Sequence, residues 1–290
     1  MLVTVETGLL STIRKNKTKD HLNKEDRSYQ NTRLSIQLSL NGLSFCITDK
    51  VSQELIEVQR MRFSAPLSEN ELKGTLRQFL ESHHVPARSY ESVVVIHSNA
   101  LFNIVPQALF DASKLNDYVK FNAQLLPHDE LAYDTIAHKD MLVVYVPFTA
   151  ANNYIFDCFG PFDYKHHVAL HLEELLSIEH DASEKACYAH IDQGTLNLTV
   201  IKNKKLQFFN SFQIGSTEDL LYYILFSLEQ LELDPKEVHM LFYGETTEAE
   251  PYYKKALQYL NHCSIYRPSF TQKIPAHLMD YHFDRIILNA

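Results

Sequence analysis

Few stretches of this 290-residue chain hold side chains whose types and spacing suit chemistry. One is Asp192-Gln193-Gly194-Thr195, which joins two runs of alternating apolar residues and offers a carboxylate, a hydroxyl and backbone N–H groups at one tight turn. A hydroxyl and N–H groups can hold a phosphate, although Asp and Gly are also ordinary turn residues. A second turn, Asn41-Gly42, carries no carboxylate, and Asn-Gly is a leading type I′ hairpin turn that needs no ligand. A third constellation is His166, His167, His171 and Glu174. His167 and His171 are four residues apart, a spacing that brings two imidazoles to one metal on a helix, but the His-Glu-x-x-His order is missing and such pairs more often pack at a surface or between domains. No Gly-x-Ser-x-Gly elbow occurs, so a hydrolase triad has no support. The chain has only 7 glycines, a shortage for any phosphate cradle built from backbone.

The elements that must position these residues are readable from periodicity. Leu34, Ile36, Leu38 and Leu40 alternate with polar residues, as do Leu43, Phe45 and Ile47 beyond Asn41-Gly42, which predicts a β-hairpin. A third strand over 54–63, a helix over 68–82 with Leu72, Leu76, Phe79 and Leu80 on one face, and a buried strand over 93–97 follow. Helices are expected over 111–126, 149–159 and 168–178, and strands over 131–137 and 141–147. The first pattern then returns: strands over 186–191, 196–200 and 206–212, a helix opened by Gly215 with Ser216 as N-cap, a strand over 238–243 ending in Gly244, and a helix over 251–260.

Composition limits the function classes. Lys and Arg number 27 against 36 Asp and Glu, a net charge of −9, which argues against a general nucleic-acid binder. Residues 1–33 reverse the sign, with seven basic residues against four acids, and read as a mobile polar arm over 1–32. The four cysteines are widely spaced, which suits reduced thiols rather than zinc or a disulfide framework. No leader-like start and no long apolar run occur, so a cytoplasmic protein without membrane insertion is expected. Among the 17 Phe and 16 Tyr, some, such as Phe208, Phe209, Tyr222, Tyr223 and Phe226, exceed what one helix or strand face can bury; core packing accounts for most, and the rest suit a partner surface.

The repeated order strand-turn-strand-strand-helix-strand, together with Ala189 to Val200 and Phe208 to Gly215, resembles the actin-like ATPase superfamily that includes actin, sugar kinases and Hsp70. It resembles in particular the actin-like proteins of pilus-assembly and secretion systems and an uncharacterised bacterial family related to them. The resemblance covers about residues 34–265 and implies a two-lobed α/β, ribonuclease H-like fold with duplicated mixed sheets and an inserted α+β subdomain. The expected divisions are a first lobe over 33–182 with the insertion at 111–160, and a second lobe over 183–290.

In that superfamily two turns approach the nucleotide phosphates and carboxylates hold Mg²⁺ through water. Carried over, the candidate nucleotide residues are Asn41, Gly42, Asp192, Gln193, Gly194, Thr195, Gly215 and Gly244. Asn41 stands where the superfamily places an Asp, and Glu245 follows Gly244 where a small residue lets the base approach. The expectation is therefore a vestigial site without catalytic or metal-binding residues and without a resident cofactor, in an interaction or scaffold protein. Its implied partner is a protein, in the pilus-type relatives a short segment of a membrane-associated one, met at the inserted subdomain or the interlobe cleft. The alternative is an ATP- and Mg²⁺-binding ATPase or switch.

Overall fold

The computed structural model describes residues 29, 31–120, 130–136, 140–178, 185–192, 194–244, 246–248, 250–267, 272–275 and 287–288. The chain divides into two units, Met1–Ala169 with Gln272–Pro275 and Ala290, and Leu170–Thr271 with Ala276–Asn289. The division falls in a helix; the expected boundary at 182/183 and nearly all of the arm over 1–32 lie outside the described residues.

In the first unit, strands β1 (Thr32–Ser39), β2 (Gly42–Asp49) and β3 (Leu55–Arg62) run antiparallel in sequence. Helix α1 (Glu69–Ser82) follows, and β4 (Ser92–Ser98) returns parallel to β1. Ser68 starts α1 with a full capping box, its hydroxyl accepting from the Glu71 N–H while Glu71 accepts from the Ser68 N–H. Leu72, Leu76, Phe79 and Leu80 face Leu34, Ile36, Leu38, Leu43, Phe45 and Ile47 in one core, as their spacing of four and two residues requires.

A three-stranded sheet of β5 (Phe102–Pro106), β7 (Met141–Tyr145) and β6 (Ala132–Thr135) interrupts this unit, with helix α2 (Leu115–Val119) packed on it through Val119. The expected helix over 111–126 is thus a 3₁₀ turn and one short helix as far as Lys120; residues 121–129 lie outside the described residues. Helix α3 (Thr149–Phe159), stopped by Gly160 at φ 80°, gives Ala151 and Ile155 to the first core. The element placed by sequence at 111–160 therefore takes its extra sheet from Phe102–Tyr145, and α3 belongs to the surrounding fold. Strand β8 (Asp163–His166) joins β4 in parallel and completes the order β3-β2-β1-β4-β8.

Helix α4 (His167–Ser177) leads to β9 (Lys185–Asp192), β10 (Thr195–Lys202), β11 (Lys205–Gln213), α5 (Thr217–Gln230), β12 (His239–Gly244), α6 (Pro251–Ala256) and β13 (His262–Ile265). The second sheet has the order β11-β10-β9-β12-β13, the same topology as the first. Helix α6 ends four residues before the periodicity suggests, because its last turn tightens to bonds from Gln258 and Tyr259 back three residues to Lys255 and Ala256. No disulfide joins the cysteines, and burial pushes the Cys46 thiol up to about 12 and the Cys263 thiol up to about 11.

Candidate functional site

One end of the second sheet gathers most of the candidate residues. Asp192 is the last residue of β9 and pairs with Thr195, the first of β10; Gln193 between them lies outside the described residues. Gly194 takes φ 77° there, a left-handed conformation that suits glycine, and its carbonyl accepts from the Ile214 N–H at 2.8 Å. That bond brings Gly215 and the start of α5 to the same turn. Gly244 pairs with Ile191 across the parallel β9–β12 ladder and so ends beside Asp192.

Several polar groups at this end are bonded within it. The Asp192 side chain is buried, and the Gln213 amide donates to Thr195 Oγ1 at 3.1 Å. The Gly215 N–H donates to Asp219 Oδ2 at 3.0 Å, while the Asp219 N–H donates to Ser216 Oγ at 3.0 Å; the pair closes the first turn of α5. Gly244, at φ 88°, has no room for a side chain: an added Cβ would overlap the Ile191 carbonyl oxygen and meet His190 Cδ2 at 2.8 Å. Glu245 lies outside the described residues.

The first unit's turn differs from its reading in sequence. Gly42 is inside β2, paired with Ser39 and with Arg62, and the two-residue loop is Leu40-Asn41 rather than Asn41-Gly42. Neither loop residue has a positive φ, so the turn is not type I′. The shift has a tertiary cause. The Phe63 and Leu67 N–H groups donate to the Asn41 and Leu40 carbonyls at 2.9 and 2.8 Å, and Ser39 Oγ accepts from the Asn41 N–H at 3.1 Å. By register, the counterpart of Asp192 is Ser39, a residue that sequence reading passes over; only aligning the last alternating positions, Leu38-Ser39 and Ile191-Asp192, would have found it.

Five of the described histidines are interior groups. His97, His166, His167, His171 and His190 are all buried. In the first unit His97 Nδ1 accepts from the Phe148 N–H at 3.2 Å, and burial pushes its pKa down to about 3, slightly offset by the Asn152 side chain. Burial, then His167 and His97 beside it, holds His166 well below the usual imidazole range. In the second unit the Tyr243 hydroxyl lies 2.8 Å from His171, which also meets Thr199 Oγ1 at 3.2 Å, and Tyr266 donates to Glu174 at 2.9 Å. His171 thus serves a hydrogen-bonded interior, and Glu174 a half-buried bond. Among the described residues no group of three or more His, Cys, Asp or Glu is placed to hold a metal.

Two sheets of one topology, a three-stranded insertion in the first, and turn residues gathered at the strand ends define an actin-like ATPase fold. The chain is similar to a Bacteroides thetaiotaomicron VPI-5482 protein of actin-like ATPase fold and unknown function, at 18% identity and TM-score 0.73 over 83% of this chain and 93% of that one. It is also similar to a chain of the PilM–PilN type IV pilus biogenesis complex, at 13% identity and TM-score 0.55 over 89% and 94%. No curated protein matches the sequence. The chain belongs to DUF3822, a family of proteins of unknown function, whose model matches residues 21–263. No helix among the described residues is long and apolar enough to cross a membrane.

Proposed function

We propose that this chain is a non-catalytic interaction or scaffold protein whose nucleotide site is degenerate. The observation that carries the reading is the turn at the end of β9: the Gly215 N–H is taken by Asp219, Gln213 donates to the Thr195 hydroxyl, and Gly244 is pressed against β9. Ser39 in the first unit adds a hydroxyl where the second has a carboxylate. Mg²⁺ favours hard oxygen ligands and partners the charge of the phosphates, and Asp192 would be the single carboxylate of these two turns. A turn with one carboxylate is a poor seat for a nucleotide with its metal.

Likeness to a chain of the PilM–PilN complex supports a protein partner. A short peptide of a membrane-associated protein, met in the cytoplasm, is the partner class we assign. Calorimetry with ATP and Mg²⁺ followed by phosphate release tests the site; we expect no binding heat and no turnover. Micromolar binding with turnover lost in Asp192→Ala would overturn the proposal. That outcome would favour a nucleotide switch, for which the buried Asp192 opposite Thr195 is the supporting observation. A thermal-shift titration separates the two cheaply, because a ligand at 100 times its Kd stabilises by about 2.7 kcal/mol.

A further inference from the structure

The exposed large apolar side chains are unevenly placed. In the first unit Val51, Ile56, Leu109 and Phe156 are scattered over separate elements. In the second, those among the described residues lie on α5 or just beyond α6: Tyr222 (59% exposed), Phe226 (44%), Leu257 (49%) and Tyr259 (48%). The two segments are tied by the Lys255–Glu218 ion pair at 3.3 Å.

The α5 rings are held by one another. Phe212 of β11 stacks on Tyr223 at 4.4 Å, Tyr223 meets Tyr222 edge-on at 5.3 Å, and Tyr222 stacks on Phe226 at 5.8 Å. This ladder starts with half-buried rings packed against the core and climbs to the outer face, so the exposed rings are already ordered and lose little freedom when covered. Aromatic anchors of this kind dominate interface energetics. A helix that only needed solvation would carry polar residues there, as α1 does with Lys73, Arg77, Gln78 and Glu81.

Charge selects the occupant. Helix α5 contains no Lys or Arg; Glu218, which pairs with Lys255, and Asp219, which holds the Gly215 N–H, precede the ring pair, and Glu229 follows it, all exposed. Acids at both ends of an aromatic pair repel phosphates and anionic lipid, while the ring faces attract cations. We propose that the outer face of α5, centred on Tyr222 and Phe226, docks an amphipathic segment of a partner protein that carries apolar anchors flanked by Lys or Arg. The proposal rests on reading the chain as an interaction protein and adds the chemistry of a partner and a surface outside the inserted sheet.

The test uses the full chain and two labelled synthetic amphipathic helices, one built from Leu and Lys, the other from Leu and Glu, read by fluorescence anisotropy. The Leu/Lys peptide is expected to bind and the Leu/Glu peptide to fail. Joint Tyr222→Ala and Phe226→Ala substitution should weaken binding about tenfold or more. Glu229→Lys, which the C-terminal end of a helix tolerates, should weaken it about threefold and flatten its salt dependence. Thermal melts of the variants verify folding. Equal affinity of the Leu/Lys peptide for wild type and both variants would overturn the proposal, as would equal binding of both peptides. Sedimentation showing a dimer that the double substitution abolishes would overturn it in favour of a second copy as occupant. A parallel ATP and Mg²⁺ titration keeps the two readings apart: nucleotide binding sinks the degenerate site, whereas loss of peptide binding alone sinks only this surface.

Discussion

The two units are one topology executed twice, and they differ at the end of the first strand and on the outer face of the first long helix. At the strand end, Ser39-Leu40-Asn41-Gly42 in the first unit corresponds by register to Asp192-Gln193-Gly194-Thr195 in the second. The first turn is fastened by backbone groups of Phe63 and Leu67, the second by Ile214. On the helix, α1 shows charge to solvent and α5 shows stacked aromatics. The topology requires only a tight turn and an amphipathic helix, so it leaves the rest of the turn and the outer helix face free to differ. The second copy has the carboxylate and the aromatic face.

The sharpest way to break this comparison is at Gly244, whose counterpart by register is His97. A buried imidazole fits in one copy, so the topology does not demand glycine; the left-handed φ and the Ile191 and His190 atoms beside it do. Gly244→Ala should therefore cost about 3 kcal/mol or more, from conformational strain plus overpacking. Denaturant unfolding would show a midpoint collapse that a tolerant β12 end would not. Acid comes next. His97 is neutral in the folded protein down to about pH 3, whereas the unfolded chain takes up a proton near 6.5, so stability falls as pH drops between those values. From pH 7 to pH 5 the loss should be about 2 kcal/mol for this imidazole, and the depressed His166 adds to it in the same direction. Unfolding at both pH values checks this, and His97→Phe should flatten the profile.

Removal of the matched caps should cost the two helices alike: Ser68→Ala and Ser216→Ala each lose about 1 kcal/mol, since both hydroxyls accept from the N–H three residues on. A large asymmetry in thermal melts would show that one cap does more than start its helix. Smallest is Gly215→Ala, where φ is not positive and the added Cβ meets only Asp219 Oδ2 at an ordinary 3.5 Å. It should stay within about 0.5 kcal/mol of wild type, and a larger loss would revive a backbone role for this glycine.

Much of the frame was legible from residue order. The alternation from Leu34 and from Leu196, the helical spacing of Leu72, Leu76 and Leu80 and the cap at Ser216 all carry through to the structure. Strands β5, β8 and β13 were not legible: Asp163-Tyr164-Lys165-His166 has no apolar alternation and is a strand because β4 pairs with it.

What the sequence by itself determined, then, is the duplicated order of elements, because periodicity and capping act within a few residues of chain. Tertiary structure alone decided which residues form the first turn, that five histidines are interior groups, and why Gly244 must be glycine. Each of those depends on an atom that packing brings in: the Phe63 N–H on the Asn41 carbonyl, the Phe148 N–H on His97, the Ile191 carbonyl beside Gly244. Hydrogen bonding and excluded volume act at a few ångströms whatever the separation along the chain.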